Sequence, residues 1–87
     1  MTENRAPVSD LGRLRWRCRR GMKELDVLLT RYVEERFAVA PAAEQLAFET
    51  LLEDPDPVIY AYCMGQSEVP EHLVGLIRLI AAARADR

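Results

Sequence analysis

Residues 22–37 have the sequence MKELDVLLTRYVEERF, and this stretch decides the fold. Apolar side chains recur in it every three or four residues, the spacing that places them on one face of an α-helix. The stripe contains Met22, Leu25, Leu29, Tyr32, Val33 and Arg36, with Leu28 beside it. Most charged side chains point elsewhere, namely Lys23, Asp26, Arg31, Glu34 and Glu35. The pattern predicts an amphipathic helix that buries one face in a core.

The segment before this helix predicts a shorter one. Residues 11–19 carry apolar side chains at three- and four-residue spacing, which favours a first helix there. Ser9 or Asp10 is its predicted N-cap, because a short polar side chain can accept hydrogen bonds from the amides of the first turn. Residues 1–10 are polar and contain a proline. We expect them to form a flexible N-terminal leader.

Prolines and glycines mark the helices that follow. Pro41 suits the first turn of a third helix, which continues to about residue 51. The sequence Asp54-Pro55-Asp56-Pro57 ends that helix and begins a fourth over residues 57–64, since an aspartate before a proline is typical of an N-cap. Gly65 ends the fourth helix, and Pro70 begins a last one that runs to about residue 85.

The apolar run at residues 58–64, Val-Ile-Tyr-Ala-Tyr-Cys-Met, is by composition equally compatible with a buried strand. Its helical surroundings favour a helix, because a lone strand has no pairing partner. A chain of 87 residues has room for one domain with a small core. The sequence therefore predicts an all-α fold, a small compact bundle of about five short helices, with residues 11–85 as a single domain.

Charge is unevenly distributed along the chain. The net charge is −2 and the isoelectric point is near 5.4, but six of the twelve basic residues fall between positions 13 and 23, where there is no acid. Such a run serves either as a solvated helix face or as a surface for a partner. A nucleic-acid module that uses these arginines and Trp16 is one alternative, but the acidic isoelectric point argues against it. We expect no nucleic-acid partner.

Residues that carry chemistry are few. Cys18 and Cys63 are far apart and outside any C-x-x-C pair, so we expect two buried thiols and no disulfide or metal site. His72 is the single histidine and has no nucleophile or acid at a suitable spacing. The four glycines stand singly, which excludes a phosphate-binding loop. The pattern indicates a protein that is not an enzyme.

Nothing in the sequence predicts membrane insertion. The densest apolar run, residues 58–64, is far shorter than the ~20 residues that cross a bilayer. The polar start of the chain contains no apolar stretch behind a basic one, so we predict no targeting segment. We expect the protein to remain where it is made, in the cytoplasm.

One segment, WRCRRGMKELD at residues 16–26, has the features of a contact surface. Arg20 offers a planar fork for a carboxylate, a phosphate or backbone carbonyls, and Gly21 lets another backbone approach closely. Glu24 lies four residues after Arg20, so the two pair on one face if the helix is continuous. The alternative is structural: Gly21 is the turn between two helices, and Arg20 and Glu24 tie it together.

The same segment resembles the signature of the SdhE family of succinate dehydrogenase assembly factors, whose hallmark is R-G-x-x-E. Here the hallmark is Arg20, Gly21 and Glu24. The resemblance extends through Leu51-Leu52-Glu53-Asp54-Pro55-Asp56-Pro57 and the helix at residues 74–80, and so covers about residues 11–80.

This resemblance implies a five-helix bundle that binds the flavoprotein subunit of succinate dehydrogenase and promotes the covalent attachment of FAD to a histidine of that subunit. Fumarate reductase is a related client in some bacteria. The implied contact residues are Arg20, Gly21 and Glu24, with Arg17 and Arg19 as neighbours. The FAD belongs to the partner, and no cofactor is expected to be stably bound to this chain.

One stretch departs from the family pattern. Many relatives place a Phe and a Trp after the D-P-D sequence, whereas this chain has Val58-Ile59-Tyr60-Ala61-Tyr62. Tyr60 or Tyr62 is expected to fill the same space. The competing function is that of an antitoxin-like or other regulatory module that binds a protein through its helices.

Overall fold

The computed structural model describes residues 8–85, and within them the side chains of residues 11–82. This part of the chain forms five α-helices and no strand, which confirms the all-α prediction. The helices are α1 (Val8–Arg17), α2 (Lys23–Glu35), α3 (Ala42–Leu51), α4 (Asp56–Cys63) and α5 (Val74–Ala85). Short 3₁₀ turns follow α2 at Phe37–Val39 and precede α5 at Glu71–Leu73.

A single cluster of buried side chains holds the helices together. Every helix contributes to it, from Leu14 of α1 to Ile80 of α5. The side chains that are almost completely buried and largest in volume are Phe37, Phe48, Leu25, Leu29, Leu51, Ile59, Ile80 and Cys18. Burial of each large apolar side chain contributes roughly 1.5–3 kcal/mol, so a few such residues carry most of the stability of a chain this small.

Helix α2 lies at the centre of the bundle. Its apolar stripe, including Leu28, is buried against α1 and α5, and α5 also packs on α3 and α4. At the far end of α2, the rings of Tyr32 and Phe37 contact the ring of Phe48 from α3, with centroids 4.6 and 5.8 Å apart. The pattern at residues 22–37 therefore marks the element on which the rest of the fold is assembled.

A polar junction joins α2 to α3 beside these rings. Arg36 donates two hydrogen bonds to the carboxylate of Glu44, at 2.8 and 2.9 Å, and the hydroxyl of Tyr32 donates a third at 2.5 Å. The bonds from Arg36, and then that from Tyr32, hold the pKa of Glu44 below its ordinary value, although burial opposes them. Burial and the bond to Glu44 raise the pKa of Tyr32. We call these three residues the Glu44 junction.

Two predicted caps are wrong. Helix α1 begins at Val8, three residues earlier than predicted, so Ser9 and Asp10 lie inside it; the leader proposed for residues 1–10 falls mostly outside the described residues. Helix α4 begins at Asp56, with Pro55 at the N-cap position and no side-chain cap. Asp56 is the first residue of α4, and its carboxylate accepts a hydrogen bond from the side chain of Arg20 instead of capping the helix.

Other predicted boundaries agree with the structure. Residues 58–64 form helix rather than strand except for Met64, which follows the last residue of α4. Gly65 ends this helix with a φ of +73°, in the left-handed region that glycine adopts without strain. Helix α3 begins at Ala42, so Pro41 is its N-cap residue and the helix starts one position later than predicted.

Candidate functional site

Five residues, 18–22, connect α1 to α2, and we call this segment the Gly21 turn. Helix α1 closes with amide hydrogen bonds from Cys18 to the carbonyl of Arg15 and from Arg19 to the carbonyl of Trp16. Gly21 follows with a φ of +86°, and a Cβ at this position would have no atom within 4 Å. The backbone conformation, not a shortage of space within the chain, therefore requires glycine here.

Asp26 of α2 holds this turn in place. Its carboxylate accepts hydrogen bonds from the backbone amides of Arg20, at 2.8 Å, and of Gly21, at 3.3 Å. Two successive amides directed at one carboxylate resemble the anion-binding arrangement of backbone N–H groups in turns. Asp26 lies off the apolar stripe of α2, as predicted, and it fixes the conformation of the Gly21 turn from within the first turn of α2.

The side chain of Arg20 joins three parts of the fold. Its Nε donates to Oδ1 of Asp56 at 2.7 Å, Nη1 donates to the carbonyl of Arg17 at 3.1 Å, and Nη2 donates to the carbonyl of Asp54 at 3.0 Å. We call this set the Arg20 junction. It ties the end of α1 to the loop after α3 and to the start of α4. Only 13% of the Arg20 side chain remains exposed.

The geometry of the guanidinium explains why arginine stands at this position. A planar fork with several fixed donors can serve a carboxylate and two carbonyls at once, whereas a lysine ammonium cannot match these directions. The Arg17 carbonyl lies in the last turn of α1, where carbonyls lack helical partners. Asp56 lies at the N-terminus of α4, where the helix dipole also favours a negative charge.

The predicted pair of Arg20 with Glu24 is wrong. It required a continuous helix, but the Gly21 turn interrupts the helix and sends Arg20 toward Asp56. Glu24 instead lies exposed in the first turn of α2, where its Oε1 is 3.5 Å from the hydroxyl of Tyr60, the outer limit of a hydrogen bond. The structural interpretation of the turn is therefore correct for Arg20 but not for Glu24.

The two neighbouring arginines differ in their surroundings. Arg17 is half-buried and donates to the carbonyl of Glu49 in α3 at 3.3 Å. Arg19 is exposed, and its guanidinium lies 5.5 Å from the ring centroid of Trp16, a cation–π distance. The indole of Trp16 is 68% exposed although it is the largest side chain in the protein. The sequence motif includes Trp16, but helical spacing alone did not indicate its exposure.

The exposed part of this site is therefore made of Gly21, Glu24, Arg19 and Trp16, and the half-buried side chains of Arg20, Asp26 and Asp56 support it. Such a surface can bind another protein, since it offers an exposed aromatic, an exposed cation, an exposed anion and a backbone without a side chain on a hydrogen-bonded base. Sequence reasoning gave Asp26 and Asp56 no role at this site, and it considered Trp16 only for the nucleic-acid alternative and as part of the contact segment.

Nearby features offer little for catalysis or metal binding. Cys18, the first residue of the turn, has a completely buried side chain, and burial raises the pKa of its thiol to about 12 against the opposing effect of Arg20. A thiol with so high a pKa is a poor nucleophile. Among the residues that the structure describes, no cluster of acids, histidines and cysteines is arranged to hold a metal ion.

The remaining sequence-predicted positions lie away from the turn. His72 is exposed beside a groove of about 450 Å³ between α3 and the start of α5, and Tyr62 lines the same groove. Tyr60 and Tyr62 are half-buried against the core. Within residues 8–85, none of the helices is both long enough and apolar enough to span a bilayer.

Comparison with known proteins identifies relatives of the whole fold. A family model described as flavinator of succinate dehydrogenase matches residues 12–84. The FAD assembly factor SdhE of Photobacterium profundum is 41% identical over 71 residues, 79% of this chain and 81% of that protein. That of Haemophilus ducreyi is 37% identical over 73 residues, 84% of this chain and 87% of that protein.

A third relative matches more closely over a shorter stretch. The FAD assembly factor SdhE of Coxiella burnetii is 47% identical over 53 residues, which are 61% of this chain and 65% of that protein. The family match includes α2 to α4, all of α5 except its last residue, the Gly21 turn and the Arg20 junction. The resemblance inferred from the R-G-x-x-E segment is confirmed, and the chain belongs to the flavinator of succinate dehydrogenase family.

Proposed function

We propose that this protein is an assembly factor that binds the flavoprotein subunit of succinate dehydrogenase and promotes the covalent attachment of its FAD. The match of residues 12–84 to the flavinator family is the observation that carries this proposal. The names of relatives with 37–47% identity agree with it.

We propose further that the Gly21 turn is part of the surface that contacts the flavoprotein. Gly21 and Glu24 are exposed on a turn held by Asp26 and by the Arg20 junction. A contact surface that is rigid before binding loses little conformational entropy when it binds. In this proposal Arg20 and Arg17 support the surface, while Gly21, Glu24 and Arg19 touch the partner.

The proposed mechanism is a binding effect, in which the assembly factor contributes no catalytic group and retains no FAD. By binding one conformation of the flavoprotein more tightly than others, it shifts the population toward that conformation. If the histidine and the flavin are aligned there, proximity and preorganised charges lower the barrier to bond formation. The buried thiol of Cys18 and the exposed, isolated His72 support a role without chemistry of its own.

The first experiment measures covalent flavin on the succinate dehydrogenase flavoprotein in cells with and without this gene, by fluorescence of the denatured subunit in a gel. We expect the signal to fall strongly without the gene and to return when the wild-type gene is supplied. An unchanged signal in the deletion strain would refute the proposed function. A growth arrest in place of a respiratory defect would favour a regulatory, antitoxin-like role.

Gly21→Arg and Gly21→Ala separate contact from folding at the turn. Both variants place an L-residue at a φ of +86°, which costs about 1–2 kcal/mol of stability. Only the arginine adds bulk to the exposed surface. We therefore expect Gly21→Ala to retain most of the flavin signal and Gly21→Arg to lose it at equal amounts of folded protein. Equal signals from the two variants would exclude steric contact at Gly21.

Three finer proposals have their own measurements. Fumarate reductase is proposed as a second client, which the same fluorescence assay on its flavoprotein tests. We propose that the purified protein carries no flavin. Its absorption spectrum should therefore show the ultraviolet band of the protein and no flavin band in the visible range. We propose a cytoplasmic location, to be tested by fractionation of cells that express the tagged chain.

A further inference from the structure

Trp16 and Arg19 form an exposed pair next to the Gly21 turn. The chain has one tryptophan, and 68% of this side chain is exposed, whereas the rings of Phe37, Phe48 and Tyr32 are buried. Burying an aromatic side chain removes some 150–250 Å² of surface from water, which stabilises a fold. The fold of this chain does not use most of that stabilisation at Trp16. Tryptophan and arginine are also the residues most enriched among the energetically dominant contacts of interfaces.

The basic residues around this pair differ in whether they form ion pairs, although acidic side chains of α2 line the same groove as Arg19. Arg15 pairs with Glu34 at 3.7 Å, and Arg20 with Asp56 at 2.7 Å. Within the part of the chain that the structure describes, Arg19 and Lys23 have no acidic partner. Stacking on the indole holds the Arg19 guanidinium in place without using its hydrogen-bond donors. An oriented guanidinium with unused donors fits a carboxylate in bidentate geometry.

We infer that Trp16 and Arg19 are a contact point for an acidic segment of the flavoprotein partner, with the indole covering apolar surface and the guanidinium binding a carboxylate. This inference rests on the proposed function; it extends the contact surface from Gly21, Glu24 and Arg19 to Trp16 and states which chemical class of partner segment Arg19 binds. An acidic protein segment fits better than a nucleic acid, because a single carboxylate can take both parallel donors of one guanidinium, whereas nucleic-acid binding draws on many phosphate contacts and is disfavoured by the net charge of −2.

The single tryptophan permits a direct test. The wild-type chain is labelled with 5-fluorotryptophan, so that its one ¹⁹F signal reports Trp16 alone. The probe is the flavoprotein subunit purified from cells that lack this gene. We expect the difference in ¹⁹F shift between H₂O and D₂O, which measures solvent contact of the indole, to shrink to a small fraction in the complex. If that difference is unchanged while gel filtration shows a complex, Trp16 lies outside the interface.

Affinity measurements test both residues with matched controls. Trp16→Ala and Arg19→Glu should each weaken binding to the flavoprotein by about tenfold or more, as truncation of a dominant contact does. Leu46→Ala on α3 is the control for an equally exposed apolar side chain, and Arg78→Glu on α5 is the control for charge reversal. Both controls should bind within about twofold of the wild type. Wild-type affinity should also fall with salt more steeply than that of Arg19→Glu.

The outcomes separate this inference from the proposed function. If the wild type binds the flavoprotein and restores covalent flavin, but Trp16→Ala and Arg19→Glu do so equally well, the inference is overturned and the function stands. If the wild type neither binds nor restores flavin, the function fails first. Gel shifts with RNA and DNA that bind the wild type but not Arg19→Glu would assign the pair to nucleic acid and overturn the inference.

Discussion

At the scale of single residues, Arg20 has the largest structural role of the predicted contact residues. Its three hydrogen bonds reach one carboxylate and two carbonyls in separate parts of the fold. Arg20→Lys keeps the charge but can serve only part of this set. Since each hydrogen bond lost contributes about 0.5–1.5 kcal/mol, we expect the free energy of unfolding to fall by about 1–3 kcal/mol in urea denaturation.

The matched control for Arg20→Lys is Arg19→Lys, one position away. Arg19 is exposed and makes no hydrogen bond to the described residues other than the backbone bond of its amide, so this change should alter the free energy of unfolding by less than about 0.5 kcal/mol. Equal losses from the two variants would mean that the Arg20 junction contributes nothing specific. Arg20 would then be a candidate for direct contact with the partner, as the sequence predicted, and not a residue that supports the surface.

The sequence placed a turn at Gly21 as one of its two alternatives, but the pair that it allowed between Arg20 and Glu24 does not form. Glycine at a helix boundary and arginine beside it are local signals, so Gly21 and Arg20 could be singled out. The actual partners of Arg20, Asp54 and Asp56, are 34 and 36 positions away, and periodicity carries no information on such distances. The pairing with Glu24 was predicted because it was the acid within reach of local spacing.

At the scale of elements, the Glu44 junction couples α2 to α3 and should make stability depend on pH. Arg36, and then Tyr32, lower the pKa of Glu44 in the folded state. A carboxyl with a lowered folded pKa stabilises the fold in full above its unfolded pKa of about 4.3, and this contribution is lost as the pH falls through the lower folded value. Glu44→Gln removes the ionisation and should be less stable than the wild type at pH 7.

The measurement for this junction is urea denaturation of both proteins from pH 7 to pH 3. The difference in free energy of unfolding should be constant down to about pH 5 and should narrow below pH 4. Glu35→Gln is the control, because Glu35 forms only an exposed pair with Arg31 on the surface of α2. A difference for Glu44→Gln that does not change with pH would show that shape, and not charge, matters at this position.

Helices were predicted better than their ends. The apolar stripe of α2 and the glycine after α4 are strong local patterns, and both elements formed where expected. The predicted N-caps were wrong because a short polar residue near the start of a helix can cap the helix, lie within it or bind another side chain. Ser9 and Asp10 continue the helix, and Asp56 receives Arg20 instead of capping α4. Tertiary contacts decided these positions, and they are not visible in local sequence.

At the scale of the whole molecule, the buried side chains of all five helices form one cluster. No helix can leave the bundle without exposing part of that cluster, so the described part of the chain should unfold as one cooperative unit. The cluster contains two buried thiols in different parts of the fold: Cys18 follows α1, and Cys63 is the last residue of α4. Both should therefore become reactive only when the whole domain opens.

Thiol labelling measures this cooperativity. In Cys63→Ala, which retains Cys18, and in Cys18→Ala, which retains Cys63, reaction with an aromatic disulfide reagent at pH 8 should be at least about a thousandfold slower than in urea-unfolded chain, given a stability of 5 kcal/mol or more. The free energy of opening obtained from each thiol should equal the free energy of unfolding of the same variant. Because the end of α1 supports the Gly21 turn, a lower opening energy at Cys18 alone would mean that the turn can detach while the bundle stays folded. The contact surface would then not be rigid before binding. Binding would have to order the turn, so the loss of conformational entropy on binding would not be small.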